Sequence, residues 1–380
     1  MAGWRYLLQR YSGTAWGEFL HTDLPLTNVS IMDNLTATNE LTAEVSAGVA
    51  GMKAADGRPL FEEWGTAIWA EDSSGDIRGG GILETAPHTG QTKSLRCIGL
   101  SGIPFKQPYG DGTGTDSTFF VETDPLAIHE HVYNWLQAKP GGDVGLEIGA
   151  CSSPVKIGYK LDQVEFDTES GLIGLEAGPF KLNWYETHDL GPVVQDLAET
   201  TPFDYREVHW WDGDTLRHKL ERGYPTLGAR LDHLRFVVGE NILVQPSVEP
   251  PTNGPVTDVM VLGAGNGRTM IRGYATQPTG RIRRVLLEER KDLKLIAQAD
   301  RRAAVLLKQA LVAGRQVSGI TLRDSSYAPI TSIRPGDEVP LQLDDEWSDE
   351  FMWCRVTNIQ LAPDQSDDAS LTLVRTDQVA

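Results

Sequence analysis

Over most of the chain apolar and polar residues alternate with period two in short runs. Gly, Pro, Asp and Asn break the runs, the pattern of antiparallel strands joined by tight turns. Residues 4–8 and 16–20 flank Ser12-Gly13-Thr14, and Leu24-Pro25-Leu26 leads into a third run at 29–32. A run at 41–45 alternates, 60–69 follows the turn Asp56-Gly57-Arg58-Pro59, and 92–99 adds another strand. Trp64, Ile68 and Ala70 are expected to share an inward face. Residues 1–100 therefore read as one closed or nearly closed antiparallel barrel.

Three stretches switch to helical spacing. Thr123-Asp124-Pro125 supplies a cap and a first-turn proline for a helix to about Ala138, striped by Leu126, Ile128, Val132, Trp135 and Leu136 and ended by Pro140-Gly141-Gly142. Asp189 caps a second helix over 189–199, where Leu190, Val193, Val194 and Leu197 recur at helical steps. The longest covers 291–313, with Leu293, Ile296, Ala299, Ala303, Leu306, Leu307, Ala310 and Leu311 on one face and Gly314 as the stop.

Between the helices, strands at 204–211 and 215–222 flank Asp212-Gly213-Asp214, a hairpin turn, and 234–238 adds a third. Four prolines with Gly and Asn mark 246–255 as a connector. Strands at 259–262 and 269–275 follow, then four more at 317–323, 338–343, 352–361 and 371–376. The implied fold class is mixed, β-rich α+β and multi-domain. Its parts are an N-terminal antiparallel β-barrel over 1–100, a helix with strands over 101–182 that starts a second β-unit, and an inserted helix with a small antiparallel sheet over 183–247. A β-hairpin, long helix and C-terminal sheet over 248–380 complete the second unit, and this last β-unit is expected to pair with residues 140–180 across the inserted domain.

At 380 residues the chain exceeds one ordinary core, and its 39 Gly and 21 Pro suit many short strands. Against 34 Lys and Arg stand 53 Asp and Glu, a formal charge of −19 that repels phosphate backbones and disfavours sequence-reading nucleic-acid binding. Cys97, Cys151 and Cys354 are odd in number and far apart, without zinc spacing or a disulfide framework, which fits assembly in a reducing cytosol. No apolar run approaches the roughly 18 residues of a membrane helix. Trp4, Arg5 and Gln9 interrupt a secretory pattern, so neither a membrane span nor a cleavable leader is expected.

Candidate chemistry is thin. The glycines between Gly75 and Leu83 lack the Lys-Ser/Thr and the helix of a phosphate cradle, and read as a Gly-opened strand. Gly263-Ala264-Gly265-Asn266-Gly267-Arg268 misplaces its third glycine for a dinucleotide loop and precedes a strand, so a tight hairpin is expected. His129 and His131, two apart on a helix, point to different faces, unlike a zinc pair spaced by four. Cys151-Ser152-Ser153-Pro154 reads as a turn before a strand at 155–159. Adjacent carboxylates at Glu62-Glu63 and Asp344-Asp345 face opposite ways on a strand and do not form a glycosidase pair. No catalytic, cofactor or metal residues are assigned. Ten tryptophans leave room for sugar stacking, and because successive strand positions face opposite ways, one of Trp210 and Trp211 is expected at an interface.

Several motifs nevertheless stand out in order: Asn183-Trp184-Tyr185-Glu186-Thr187, Thr201-Pro202-Phe203-Asp204-Tyr205, Gly223-Tyr224-Pro225 with Leu227-Gly228, and the run from Leu234-Arg235-Phe236 to Gly239-Glu240-Asn241-Ile242. With the Gly263–Arg268 hairpin, the long helix and the turn Arg334-Pro335-Gly336-Asp337, they resemble the minor tail proteins, or tail-tip hubs, of long-tailed phages of actinobacteria, mycobacteriophage-like siphoviruses. The resemblance covers nearly the whole chain. It implies tail-tube-like β-barrels and a homotrimer whose two barrel domains per chain match a hexameric distal tail protein ring. It also implies tape measure protein and other minor tail proteins or fibres as partners, a place at the virion tail tip after assembly in the host cytoplasm, and a channel for genome ejection. Three chains would carry −57, so double-stranded DNA is expected to pass without specific binding. A tail-associated cell-wall-degrading enzyme and a receptor- or carbohydrate-binding module are the competing readings.

Overall fold

The computed structural model describes residues 3–110, 117–158, 160, 162–168, 171–201, 203–244, 246–249, 256–265, 267, 270–278, 280, 282–291, 293, 296–312, 316–344 and 349–376. Tyr159, Pro202, Asn266, Arg268, Gly314, Asp345 and residues 250–255 of the expected connector lie outside them.

The N-terminal region supplies β1 (Arg5–Tyr11), β2 (Trp16–His21), β3 (Thr27–Asn34), β4 (Glu40–Ser46), the short α1 (Ala47–Ala50), β5 (Thr66–Glu71), β6 (Ile77–Thr85), β7 (His88–Thr89) and β8 (Thr92–Ile98). The middle holds β9 (Ser117–Phe120), α2 (Pro125–Gln137), β10 (Leu146–Ile148), β11 (Asp162–Thr168), β12 (Gly171–Ala177), β13 (Phe180–Asn183), α3 (Leu190–Thr200), β14 (Asp204–Asp212) and β15 (Thr215–Gly223). Then follow β16 (Phe236–Val237), β17 (Ser247–Glu249), β18 (Asp258–Leu262), β19 (Arg272–Thr276), β20 (Val285–Glu289), α4 (Ile296–Val312), β21 (Gln316–Leu322), β22 (Glu338–Asp344), β23 (Asp349–Leu361) and β24 (Ala369–Arg375).

A fourteen-stranded sheet dominates, its path running β17-β21-β24-β23-β3-β4-β8-β6-β5-β1-β2. The N-terminal strands do not close into the expected barrel. The free edge of β3, which closure would need, is taken instead by β23 in the antiparallel register Ile31↔Leu361 to Asn34↔Asn358, and among the described residues no pairing joins the path's ends. This pairing also departs from the expected partner of the last β-unit. β11 instead pairs antiparallel with β12, while β13 pairs with β9 and β10 with β15.

Two cores lie on opposite faces of β1 and β5. Tyr6 and Leu8 of β1, with Ile68 and Ala70 of β5, enter a core shared with Leu341, Met352, Val356 and Leu373 of the C-terminal strands. Leu7, Ala67 and Trp69 face the other way, into a core built with α2, α3, β14 and β15. Burial on both faces accounts for the nearly continuous apolar run of β5, whose six residues are all buried. Trp64 departs from expectation: it sits before β5 at φ +58 and is 50% exposed, because the chain turns there before the strand begins. The glycine run falls within β6, between β5 and β8. Gly81 lies at φ +154, and a Cβ on it would meet the Ile98 carbonyl oxygen at 1.9 Å, so the neighbouring backbone requires glycine there.

α2 and α3 begin where their caps predict, whereas α4 starts at Ile296 and not at the expected residue 291. The Asp124 carboxylate accepts the Leu126 amide at the start of α2, and Asp189 accepts the Gly191 amide at the start of α3. β18 pairs antiparallel with β19 and parallel with β20, and α4 closes this small sheet with a separate core of Val259, Val261, Ile271, Ala299, Ala303 and Leu307.

Candidate functional site

Three of the motifs, those holding Asp204, Leu227-Gly228 and Pro335-Gly336-Asp337, converge at one junction between β14 and the C-terminal sheet. The Asp204 carboxylate accepts the Leu227 amide at 2.8 Å and pairs with the Arg355 guanidinium, which also donates to the carbonyls of Leu227 and Gly336 at 2.6 and 3.1 Å. Gly228, at φ +104, lets the two loops touch: a Cβ there would stand 2.2 Å from the Gly336 oxygen. The Ala229 amide donates to Asp337 at 3.0 Å, and Arg206 donates to the Pro335 carbonyl at 2.8 Å. Asn241 closes its own loop, accepting from the Val237 amide at 2.9 Å and donating to the Arg235 carbonyl at 2.6 Å. These contacts join segments that are distant in sequence.

β14 and β15 form an unbroken antiparallel register from Asp204↔Gly223 to Asp212↔Thr215, turning through Gly213 at φ +61. Alternation along β14 buries Tyr205, Glu207 and His209 and turns Trp210 outward, 36% exposed. Trp211 lies half-buried against Phe19, ring centroids 5.6 Å apart. The pair thus faces opposite ways, and Trp210 is the member open to a partner. Composition gave no reason to single out Trp184 and Tyr185, which are also exposed and stack edge to face at 5.5 Å. The signal was present in the motif itself, since its Asn183 and Thr187 fold a local turn, the Thr187 amide donating to the Asn183 carbonyl at 2.8 Å, that leaves both rings outside.

Behind Trp210 lies a buried polar cluster. Glu207 accepts the Leu100 and Ser101 amides at 2.9 and 3.0 Å and the Ser101 hydroxyl. Burial pushes its carboxyl above the usual range against the pull of those donors. His209 and His218, opposite each other across the hairpin, share a 3.0 Å contact between Nδ1 atoms; His218 stacks on Trp69 at 4.4 Å and His209 meets the same ring tilted at 4.9 Å. Burial lowers His209 to about 4, with Arg334 adding repulsion, and holds His218 well below its ordinary value. The Nε2 atoms of both are buried without a hydrogen-bond partner.

The remaining candidates separate. His129 is enclosed by the rings of Tyr133, Phe203 and Tyr205, with both nitrogens unpartnered and its basicity lowered to about 3 by burial, then by Arg222. His131 instead contacts the Tyr109 hydroxyl at 3.2 Å. Among the described residues no group of three or more His, Cys, Asp or Glu is placed to hold a metal ion. Cys97 and Cys354 are buried and Cys151 half-buried. No helix of the described residues is long and apolar enough to cross a membrane.

Solved tail proteins share this architecture end to end. The 43 kDa tail protein of prophage MuSo2 from Shewanella oneidensis matches with TM-score 0.58 at 13% identity, over 98% of this chain and 99% of its own. A tail protein from Neisseria meningitidis MC58 matches with TM-score 0.56 at 14% identity, over 99% and 97%. Prophage tail protein gp18 from Listeria monocytogenes EGD-e matches with TM-score 0.55 at 11% identity, over 99% and 95%. No protein-family model matches the chain, and no curated protein matches it. At such identities the likeness establishes the fold, one that prophage tail proteins use.

Proposed function

We propose that the chain is a structural virion protein, the homotrimeric hub of a siphovirus tail tip of the kind found in phages of actinobacteria. It joins the distal tail protein ring to the tip, contacts the tape measure protein and further minor tail proteins or fibres, and surrounds the channel through which the genome leaves. Assembly takes place in the host cytoplasm. The observation that carries this reading is the end-to-end match to tail proteins, 98% of this chain against 99% of the MuSo2 protein. Trp210, Trp184 and Tyr185 are its outward aromatic contacts, and no step of catalysis is assigned to it.

Mass photometry with negative-stain microscopy tests the assembly. Rings of three 41.7 kDa chains that bind a distal tail protein ring are expected. Monomers at high micromolar concentration that ignore that ring contradict it.

A further inference from the structure

The chain's charge is unevenly divided. Residues 256–312 hold eleven Lys and Arg against five Asp and Glu, a formal +6, so the remainder holds 23 against 48, or −25. This basic segment is the unit of β18, β19, β20 and α4. On one face of its sheet Val259 and Val261 are buried in the core that α4 completes. The register sets out the opposite face: a central row Tyr274–Met260–Leu287, flanked by the rows Thr276–Asp258–Val285 and Arg272–Leu262–Glu289. No element of the described chain covers it fully: Tyr274 is 44%, Val285 41% and Leu287 56% exposed, and Ile282 just before β20 is 90% exposed. Asp258 accepts the Tyr274 hydroxyl and lies 3.4 Å from Arg283, which fixes that ring and the rim arginine beside the apolar row.

We propose that this sheet face is a docking surface for a second copy of the chain, its apolar row seated on the neighbour and its arginine rim facing the neighbour's acidic surface. The proposal rests on the trimeric reading above. A cyclic trimer needs two different patches per chain, one meeting the other, and the split into +6 and −25 puts net positive charge on the segment that carries this face and net negative charge on the rest of the chain. A centre of Tyr, Met and Leu with Arg at its margin is the composition of a protein interface. A duplex backbone is grasped by Lys and Arg across the contact, whereas the centre here is Tyr274, Met260 and Leu287 with Asp258 alongside.

Sedimentation equilibrium of the full-length wild type, Leu287→Glu, Leu287→Lys and Val285→Glu is the test, with near-ultraviolet circular dichroism to show that each is folded. Wild-type trimers are expected, with association weakened about 100-fold by either glutamate. Leu287→Lys should weaken it about tenfold, because lysine meets an acidic neighbour. Equal association constants for all four proteins overturn the surface and leave the hub reading standing, and a loss as large for lysine as for glutamate overturns the charge match. A monomeric wild type defeats the trimeric reading and this one with it. Wild-type binding of a duplex DNA at physiological salt that Arg283→Glu abolishes assigns the face to nucleic acid and overturns the proposal.

Discussion

The fourteen-stranded sheet and the small sheet of β18, β19 and β20 use the same alternating strand to opposite ends. At β1 and β5 the large sheet is covered on both faces, by a core shared with the C-terminal strands and by a core built on α2 and α3. The small sheet is covered by α4 on one face and leaves Tyr274 and Leu287 exposed on the other. A strand with both faces buried can contribute only stability, while a strand with an uncovered face can contribute assembly. If that contrast holds, substitutions in the large sheet change folding and leave association to follow, and substitutions on the small sheet change association and leave folding alone.

The sharpest break in the comparison is Trp69→Ala. Trp69 is fully buried, carries the rings of His209 and His218, and donates its indole N–H to Gln9 at 3.2 Å. The substitution is expected to cost about 4 kcal/mol in denaturant unfolding. A loss under about 1 kcal/mol means that the two cores do not depend on each other through β5.

Asp204→Ala comes next. It strands the Arg355 guanidinium, 15% exposed, and the Leu227 amide at the junction, for an expected loss of about 3 kcal/mol. Asp204→Asn, which keeps an acceptor for the amide, should recover part of the loss, and equal losses for the two variants would show that the carboxylate charge carries the contact.

The same large-sheet side predicts a pH dependence. The folded His129 has a lowered affinity for protons, so below its ordinary value near 6.5 the unfolded chain binds a proton that the folded chain does not until about pH 3. Its contribution is therefore fully present above pH 6.5 and is lost as pH falls toward 3. His129→Phe removes that loss. At pH 7.5 the two proteins should unfold at similar denaturant concentration, and at pH 4 the variant should be the more stable by about 3 kcal/mol. Asp33, raised to about 7 by burial, gains stability over part of the same range as pH falls, and because it is present in both proteins it cancels from the difference. A pH-independent difference between the two would contradict the burial of His129.

The smallest effect is expected on the small sheet. Leu287→Ala should leave the unfolding free energy within about 0.5 kcal/mol of wild type while weakening self-association. Unfolding loss without association loss would reverse the comparison.

Local features were legible in the sequence. Asp124 and Asp189 cap their helices, and the hairpin of β14 and β15 turns at Gly213 and Asp214, because caps and turns are decided by neighbours in sequence. The opening of the N-terminal sheet was not legible: it depends on Asp33 pairing with Ile359, and a partner so distant leaves no trace in a local pattern. Period-two reasoning correctly separated Trp210 from Trp211. It gave no warning that Glu207, His209 and His218 share one interior, since strand alternation fixes the face of a residue and not whether that face is wet or dry. The Asp204, Gly228 and Asp337 motifs were visible as words, and only their convergence shows that they serve packing.

The most direct test of the proposed tail-tip role is immunogold labelling of intact phage particles with antibody raised against the purified protein. Gold confined to the end of the tail away from the capsid is the predicted result. Gold spaced along the tail tube, or virions that carry none of the protein, would contradict the assignment to the tail tip.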